Sequence, residues 1–256
     1  MLTKNRLKYY SSLLDKKERR QEKKFLAEGK KLIFEAVNWG YECDSVFTTE
    51  VFAEENADFL EFIEFKGLEI EILKSAELSK LCDTKTPQGI VGVFNFKGEK
   101  SPDLLNEKLI VALENISDPG NMGTILRNCD WFGIKNVLIS PDCAEIYNPK
   151  VIRASAGSLF HLNLVEEENI IDSLITLKES GFKLICADLN GTSLYEFGRE
   201  EKEIIILANE ANGPTRELLE ICDSKITIPK LGEAESLNVA SASAVILSEL
   251  TRPTPK

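Results

Sequence analysis

The sequence predicts an α/β protein with two domains, a small α/β domain at residues 1–96 and a parallel-sheet domain at residues 107–256. The polar stretch 97–106 contains Gly and Pro, as interdomain linkers commonly do, and separates the two. After it, apolar strands alternate with helices, and strands such as residues 204–207 are apolar at every position. That combination indicates a parallel sheet covered by helices on both faces.

In the first domain, hydrophobic spacing and turn residues predict four helices and three strands. The helices are expected at residues 4–22, 31–39, 51–65 and 75–81, and the strands at 43–48, 69–73 and 90–96. Residues 25–29 are expected to interrupt the helical start of the chain. Ser75 is expected to cap the last of the four helices.

In the second domain, six apolar runs predict strands with helices between most of them. The strands are expected at residues 109–113, 136–139, 162–165, 183–187, 203–207 and 225–228. Ser236 is a candidate N-cap for a final helix, and from Asn238 onward almost every residue is small or aliphatic. We therefore expect this helix to be buried or packed closely against another helix.

Composition narrows the class of protein. The 256 residues are 43% apolar and 29% charged, an ordinary balance for a soluble globular protein. No apolar run is long enough for a membrane span and the basic start is unlike a signal peptide, so a cytoplasmic protein without a membrane partner is expected. Six scattered cysteines without a Cys-x-x-Cys pair, and a single histidine, predict no metal site and no histidine-based nucleophilic catalysis.

The net charge of −11 is distributed unevenly along the chain. Residues 1–31 contain eleven Lys or Arg and four acids and carry +7, so the remainder carries −18. This asymmetry is typical of a local contact with a polyanion, but a solvated helix face explains it equally well. The candidate contacts are Lys16, Lys17, Arg19, Arg20, Lys23 and Lys24.

Three blocks of the second domain carry candidate chemistry. Residues 114–128 follow a strand and open a helix, the usual ligand-binding position in an open α/β sheet, yet they lack the glycine spacings of nucleotide-binding loops. In this block Asn121 and Arg127 are six residues apart, so they can face one site if Asn121 lies in the loop before the helix. The other two blocks, residues 206–214 and 226–247, each begin on a buried strand.

The three blocks resemble motifs one to three of the SpoU (TrmH-type) RNA ribose methyltransferases, part of the SPOUT superfamily. Asn121 and Arg127 carry the resemblance in the first block. The run Ile-Leu-Ala-Asn-Glu-Ala-Asn-Gly-Pro at 206–214 carries it in the second, and Ser-Leu-Asn-Val at 236–239 in the third. Upstream, residues 25–29 and 86–90 resemble the RNA-binding domain that often precedes the SpoU catalytic domain and is similar to a ribosomal-protein-like, kink-turn-binding fold.

The chain departs from the family pattern at three positions. Glycine is usual where Ala208 and Ala211 stand, and alanine disfavours positive φ, so these two alanines bear on the backbone path beside a cofactor. Lys230 stands where motif three often has methionine.

The resemblance implies an S-adenosylmethionine-dependent RNA 2′-O-methyltransferase with a trefoil knot in its C-terminal domain and pairing as a homodimer. It implies ribosomal RNA of the large subunit as the substrate, because the first domain resembles ribosomal RNA binders. The implied catalytic residues are Arg127, Asn121, Glu210, Ser236 and Asn238. The implied cofactor-binding residues are Leu207, Ala208, Asn209, Gly213, Ile228 and Leu237. Arg153 is a further candidate for RNA contact, with pairing to a carboxylate as the alternative.

Two roles for Arg127 stay open under this resemblance. The family assigns the motif-one arginine as the base that deprotonates the hydroxyl, but a guanidinium hardly deprotonates. Clamping phosphate and stabilising a developing alkoxide suits it better. The alternative functions are methylation of transfer RNA, a non-catalytic RNA-binding relative, and a nicotinamide-dependent oxidoreductase, which shares the α/β pattern but has a glycine fingerprint that is absent here.

Overall fold

The computed structural model describes residues 2–98, 102–209 and 213–253. Their contacts form two compact units, one from Met1–Gly98 with Glu145–Phe160 and one from Glu99–Ala144 with His161–Lys256. Each unit has its own sheet. The larger sheet is parallel throughout and confirms the predicted fold class. The domain bounds 1–96 and 107–256 remain a proposal. The sequence did not predict that residues 145–160 belong to the first unit.

The first unit begins with six helices and four strands. In chain order they are α1 Lys4–Ser12, α2 Lys16–Glu22, β1 Lys24–Glu28, α3 Lys30–Asn38, β2 Cys43–Thr48, α4 Glu50–Glu55, α5 Ala57–Phe65, β3 Ile70–Ile72, α6 Ser75–Leu78 and β4 Ile90–Asn95. The sheet order is β1-β4-β2-β3. Strand β4 is antiparallel to both of its neighbours, whereas β3 runs parallel to β2.

Three predictions for this unit are wrong in detail. The helix expected at 4–22 is two helices, because the Asp15 side chain caps α2 by accepting from the Lys17 amide at 2.8 Å. The predicted interruption of the helical start at residues 25–29 is confirmed, although the strand β1 that causes it, with apolar side chains buried against β4, was not predicted. The helix expected at 51–65 is interrupted at Asn56. Ser75 lies inside α6, which is preceded by Lys74.

The remaining elements follow residue 102. They are β5 Leu109–Glu114, α7 Pro119–Trp131, β6 Asn136–Ile139, α8 Pro149–Ser155, β7 Asn163–Glu166, α9 Ile170–Glu179, β8 Lys183–Ser193, β9 Glu203–Ala208, α10 Arg216–Ile221, β10 Ser224–Thr227 and α11 Val239–Leu250. Helix α8 is counted with the first unit. The second sheet has the order β10-β8-β9-β5-β6-β7, so β5 and β9 lie at its centre. Their buried aliphatic side chains form the core of this unit.

The segment containing α8 joins the first unit through a buried ion pair and an aromatic cluster. The Arg19 guanidinium donates to the Glu145 carboxylate, with Nε 3.0 Å from Oε1, and also to the carbonyls of Leu13 and Leu14. The side chains of Arg19 and Glu145 are 2% and 3% exposed. Tyr147 stacks on Phe25, with ring centroids 4.6 Å apart. These contacts link residues that are far apart in the chain, so no local pattern announces them.

Strand β8 is six residues longer than the sequence predicted and pairs with β10 in two separate stretches. Ile185 and Cys186 pair with the start of β10, and Thr192 and Ser193 pair with its end. Between these stretches, a Cβ atom added at Gly191 would lie 2.7 Å from backbone atoms of strand β10. Only glycine permits so close an approach of two backbones.

Helix α11 packs against α7, which confirms the expected close helix packing. Asn128 of α7 donates to the Ala240 carbonyl at 3.0 Å and to the Ser243 hydroxyl at 2.8 Å. The expected N-cap at Ser236 is wrong, because Asn238 caps the helix by accepting from the Ala240 amide at 3.0 Å. Across the part of the chain that is described, no helix has the length and apolar character of a membrane span.

Candidate active site

The three sequence blocks meet at one edge of the parallel sheet. Strand β5 ends at Glu114, β9 ends at Ala208 and β10 ends at Thr227. Because parallel strands present their carboxyl ends at the same edge, the loops that follow them are neighbours. Ligands in open α/β sheets bind outside this edge.

The first block leaves β5 through a strained turn and enters α7. Asn115 has a φ of +57°, a left-handed conformation that is uncommon for a non-glycine residue, and its amide donates to the Ser140 hydroxyl at 3.0 Å. The Ile116 amide donates to Cys143 Sγ at 3.3 Å. Burial raises the pKa of the Cys143 thiol, so this sulfur stays protonated and supports the turn as a structural group.

The first and third blocks are joined by a direct hydrogen bond. The side-chain amide of Asn238 donates to the Asn121 side-chain oxygen at 2.9 Å. Asn238 is therefore held at two points, because its own oxygen also caps α11. The structure thus brings together two residues that sequence analysis assigned to one site.

Asn121 and Arg127 do not share a face of α7. The sequence analysis required Asn121 to lie in the loop before the helix for the two residues to face one site. Asn121 is instead the third residue of the helix. Six residues at 3.6 per turn place the two side chains about 120° apart around the axis. Arg127 is exposed and, within the described residues, forms no hydrogen bond or ion pair. As far as the described residues go, its guanidinium is therefore available to a ligand.

The second block is fastened to the first. The Asn209 side-chain amide donates to the Asn115 carbonyl at 3.1 Å and to the Ser117 hydroxyl at 3.4 Å. The Gly213 amide donates to the Asn209 carbonyl at 2.8 Å. Leu207 and Ala208 are buried at the end of β9, and Ala208 does not have a positive φ, so alanine is compatible with the backbone there. The predicted residue Glu210, together with Ala211, lies outside the described residues.

The other predicted residues of the third block lie between the end of β10 and the start of α11. Ile228 directly follows β10 and is half-buried. Ser236 and Leu237 are exposed, and Leu237 keeps 48% of its surface. Lys230 is also exposed. No group of three or more His, Cys, Asp or Glu residues in the described ranges could hold a metal ion.

Sequence analysis missed two groups that organise this edge. Glu114 ends β5 and accepts hydrogen bonds from the amide and hydroxyl of Thr215, whereas the sequence analysis assigned it no role. Asn128 connects α7 to α11, as described above. A carboxylate directly after an apolar strand was a weak signal for Glu114. Nothing in the local sequence distinguished Asn128 from an exposed helical residue.

The basic candidates of the first unit are not equivalent. The assignment of Arg19 to RNA is wrong, because its buried guanidinium holds Glu145. Lys24 pairs with Asp44 at 2.6 Å, and Arg153 pairs with Asp83 at 2.7 Å. The carboxylate alternative for Arg153 is therefore the observed one. The exposed candidates are Lys16, Lys17, Arg20 and Lys23.

Two family models and a curated relative match this chain. The model of the SpoU rRNA Methylase family matches residues 108–248, and that of the MRM3-like substrate binding domain matches residues 4–92. A Bacillus subtilis relative named 23S rRNA (guanosine(2553)-2′-O)-methyltransferase RlmP is 31% identical over 246 residues, which are 96% of this chain and 95% of that protein.

Solved structures give the same result. A protein assigned to the TrmH family of RNA methyltransferases from Porphyromonas gingivalis is 33% identical, with a TM-score of 0.87 and 98% of each chain covered. An AdoMet-bound rRNA methyltransferase from Sinorhizobium meliloti is 25% identical, with a TM-score of 0.84 over 98% of this chain and 95% of that one. The predicted resemblance is confirmed: the chain belongs to the SpoU family and is an S-adenosylmethionine-dependent RNA 2′-O-methyltransferase.

Proposed function

We propose that this enzyme methylates a ribose 2′-hydroxyl in large-subunit ribosomal RNA. The observation that carries this proposal is the match to the Bacillus subtilis 23S rRNA enzyme over nearly the full length of both chains. The substrate-binding domain at residues 4–92 supports it, because the resemblance of that part of the chain is to RNA-binding domains. Transfer RNA is the alternative substrate.

The residues at the sheet edge fit S-adenosylmethionine, which we place against the loop that follows β9. Ile228 and the exposed Leu237 offer apolar surface for an adenine ring. Backbone groups of residues 207–209 and 213 offer hydrogen bonds to the polar edge of the adenine and to the ribose. A few polar groups on an apolar wall are typical of such cofactor sites.

The cofactor supplies an activated methyl group when bound, so the task of the protein is to position and activate a weakly nucleophilic hydroxyl. In our mechanism Arg127, exposed on α7, binds an RNA phosphate and stabilises the negative charge that develops on the ribose oxygen. Asn121 and Asn238, bonded to each other, hold the start of α7 against α11. We assign Glu210 and Ser236 to ordering the same site.

The substrate is tested by mapping 2′-O-methylation across all RNA from cells with and without the gene. We expect one ribose methylation in large-subunit ribosomal RNA to disappear and to return with the wild-type gene but not with an Arg127→Ala copy. Loss of a transfer RNA methylation with unchanged ribosomal RNA would contradict the proposed substrate and leave the enzyme class intact.

We further propose that Lys16, Lys17, Arg20 and Lys23 of the first unit contact RNA phosphates. Changing all four to Gln should weaken RNA binding and make log affinity less steep against log salt, by roughly 0.7–0.9 per lost contact. Fluorescence anisotropy across a salt series measures the slope. Exposed Lys108, Lys135, Lys183 and Arg216 of the second unit, all changed to Gln, serve as the charge-matched control. An unchanged slope in the fourfold variant would show that these residues form only a solvated surface.

Homodimer formation and the knot are also proposals. A second copy would pack on α11 and α7, where the small residues Ala242 and Ala244 are partly exposed and Trp131 is 82% exposed. Sedimentation at the monomer mass of 28.6 kDa would contradict the dimer. The close passage of β10 at Gly191 supports the knot, and an experimentally traced backbone through residues 183–240 would decide it.

A further inference from the structure

Glu114 is a buried carboxylate to which the mechanism assigns no role. It is 4% exposed and ends the central strand β5. Its Oε1 accepts from the Thr215 hydroxyl at 2.5 Å, and its Oε2 accepts from the Thr215 amide at 3.0 Å. Burying a charged group is costly unless hydrogen bonds compensate, and here both oxygens are used by a single residue. The two hydrogen bonds to Glu114 restrict the orientation of Thr215 as well as its position.

Thr215 transmits this restraint to the backbone that follows it. Its hydroxyl donates to Glu114 and accepts from the Leu218 amide at 3.3 Å, so it also caps α10. Thr215 itself is exposed, so few packing contacts are available to hold it. The bonds to Glu114 attach Thr215 directly to the end of β5.

The opposite end of the same loop is attached to the residues that directly follow β5. Asn209 binds the carbonyl of Asn115 and the hydroxyl of Ser117, and its own carbonyl accepts from Gly213. The loop between β9 and α10 is therefore tied at both ends to residues 114–117. Movement at either attachment would displace the backbone groups of residues 207–209 and 213.

We propose that Glu114 is a positioning residue that sets S-adenosylmethionine affinity, by holding Thr215 and thereby the loop that carries the cofactor-binding backbone groups. The inference rests on the cofactor position proposed above. It predicts that the Glu114–Thr215 contact affects cofactor binding more strongly than RNA binding or turnover. A role limited to folding would instead lower the melting temperature and the active fraction without changing affinity.

The test uses three variants at this contact, of which Thr215→Val also removes the hydroxyl that caps α10 and Glu114→Gln leaves that cap in place. Glu114→Gln keeps the size but replaces one acceptor oxygen with an NH2 group that cannot accept from Thr215. Thr215→Val removes the hydroxyl at nearly constant shape, and Thr215→Ser restores it. We expect the first two to raise the Kd for S-adenosylmethionine about tenfold, measured by calorimetry without RNA. We expect Thr215→Ser to stay within about threefold of wild type.

Kinetics then separates positioning from a general structural defect. With RNA from cells lacking the gene, the KM for S-adenosylmethionine should rise about tenfold, while kcat and the KM for RNA change less than about twofold. Wild-type affinity in Thr215→Val, or lowered kcat at saturating cofactor with unchanged KM, would overturn the proposal. If Glu114→Gln does not fold, the Thr215 pair decides. Failure of wild type to bind the cofactor at all would instead contradict the proposed site.

Discussion

Arg127→Ala should reduce methyl transfer by at least about 10²-fold while leaving the fold and S-adenosylmethionine binding intact. Its guanidinium is exposed on α7 and, within the described residues, engages no carboxylate. Among the residues that the structure describes, its removal therefore leaves no buried partner unsatisfied, so the effect should be confined to the ribose and phosphate of the RNA. Single-turnover methylation with excess enzyme, together with calorimetry for the cofactor, measures the two quantities separately.

Two further substitutions make this result specific. Arg127→Lys keeps the positive charge but loses the planar fork, and it should recover only part of the activity if the arginine clamps a phosphate with two donors. Arg252→Ala removes an arginine whose side chain is 68% exposed at the end of α11, and it should leave turnover unchanged. Full turnover in Arg127→Ala would show that another residue stabilises the transition state.

Arg19→Ala should destabilise the protein by about 3–5 kcal/mol, because it leaves the Glu145 carboxylate buried without its partner. The same change also removes the donors to the Leu13 and Leu14 carbonyls. Chemical denaturation followed by circular dichroism measures the loss. Lys17→Ala, at an exposed position of the same helix, should change stability by no more than about 0.5 kcal/mol.

The double variant Arg19→Met with Glu145→Leu tests the cause. It removes both charges and fills the space with apolar atoms, so it should be more stable than Arg19→Ala. If Arg19→Ala unfolds at the same denaturant concentration as wild type, the ion pair is not holding residues 145–160 to the first unit. A change in the RNA salt slope for the stable double variant would contradict the exclusion of Arg19 from the RNA contacts.

Much of the second sheet was predictable from the sequence. The expected strands at 136–139 and 109–113 agree with β6 and with all but the last residue of β5. A strand buried on both faces is apolar at every position, which is a local signal. Part of the candidate site was also predictable. The order of the three blocks along the chain assigned Asn121 and Asn238 to one site, and in the structure their side chains are hydrogen-bonded at 2.9 Å.

The sequence by itself thus determined the α/β class, the central strands and the family, because each is recognised from short continuous runs of residues. Only the tertiary structure decided that Arg19 is buried, since its partner lies 126 residues away. It also decided that Glu114 holds Thr215, 101 residues away, and that Gly191 touches the backbone of β10. The local sequence predicts that a charged residue in a polar run is exposed to solvent. Its burial and its hydrogen bonds depend on which distant segments pack against it, and only the tertiary structure shows these.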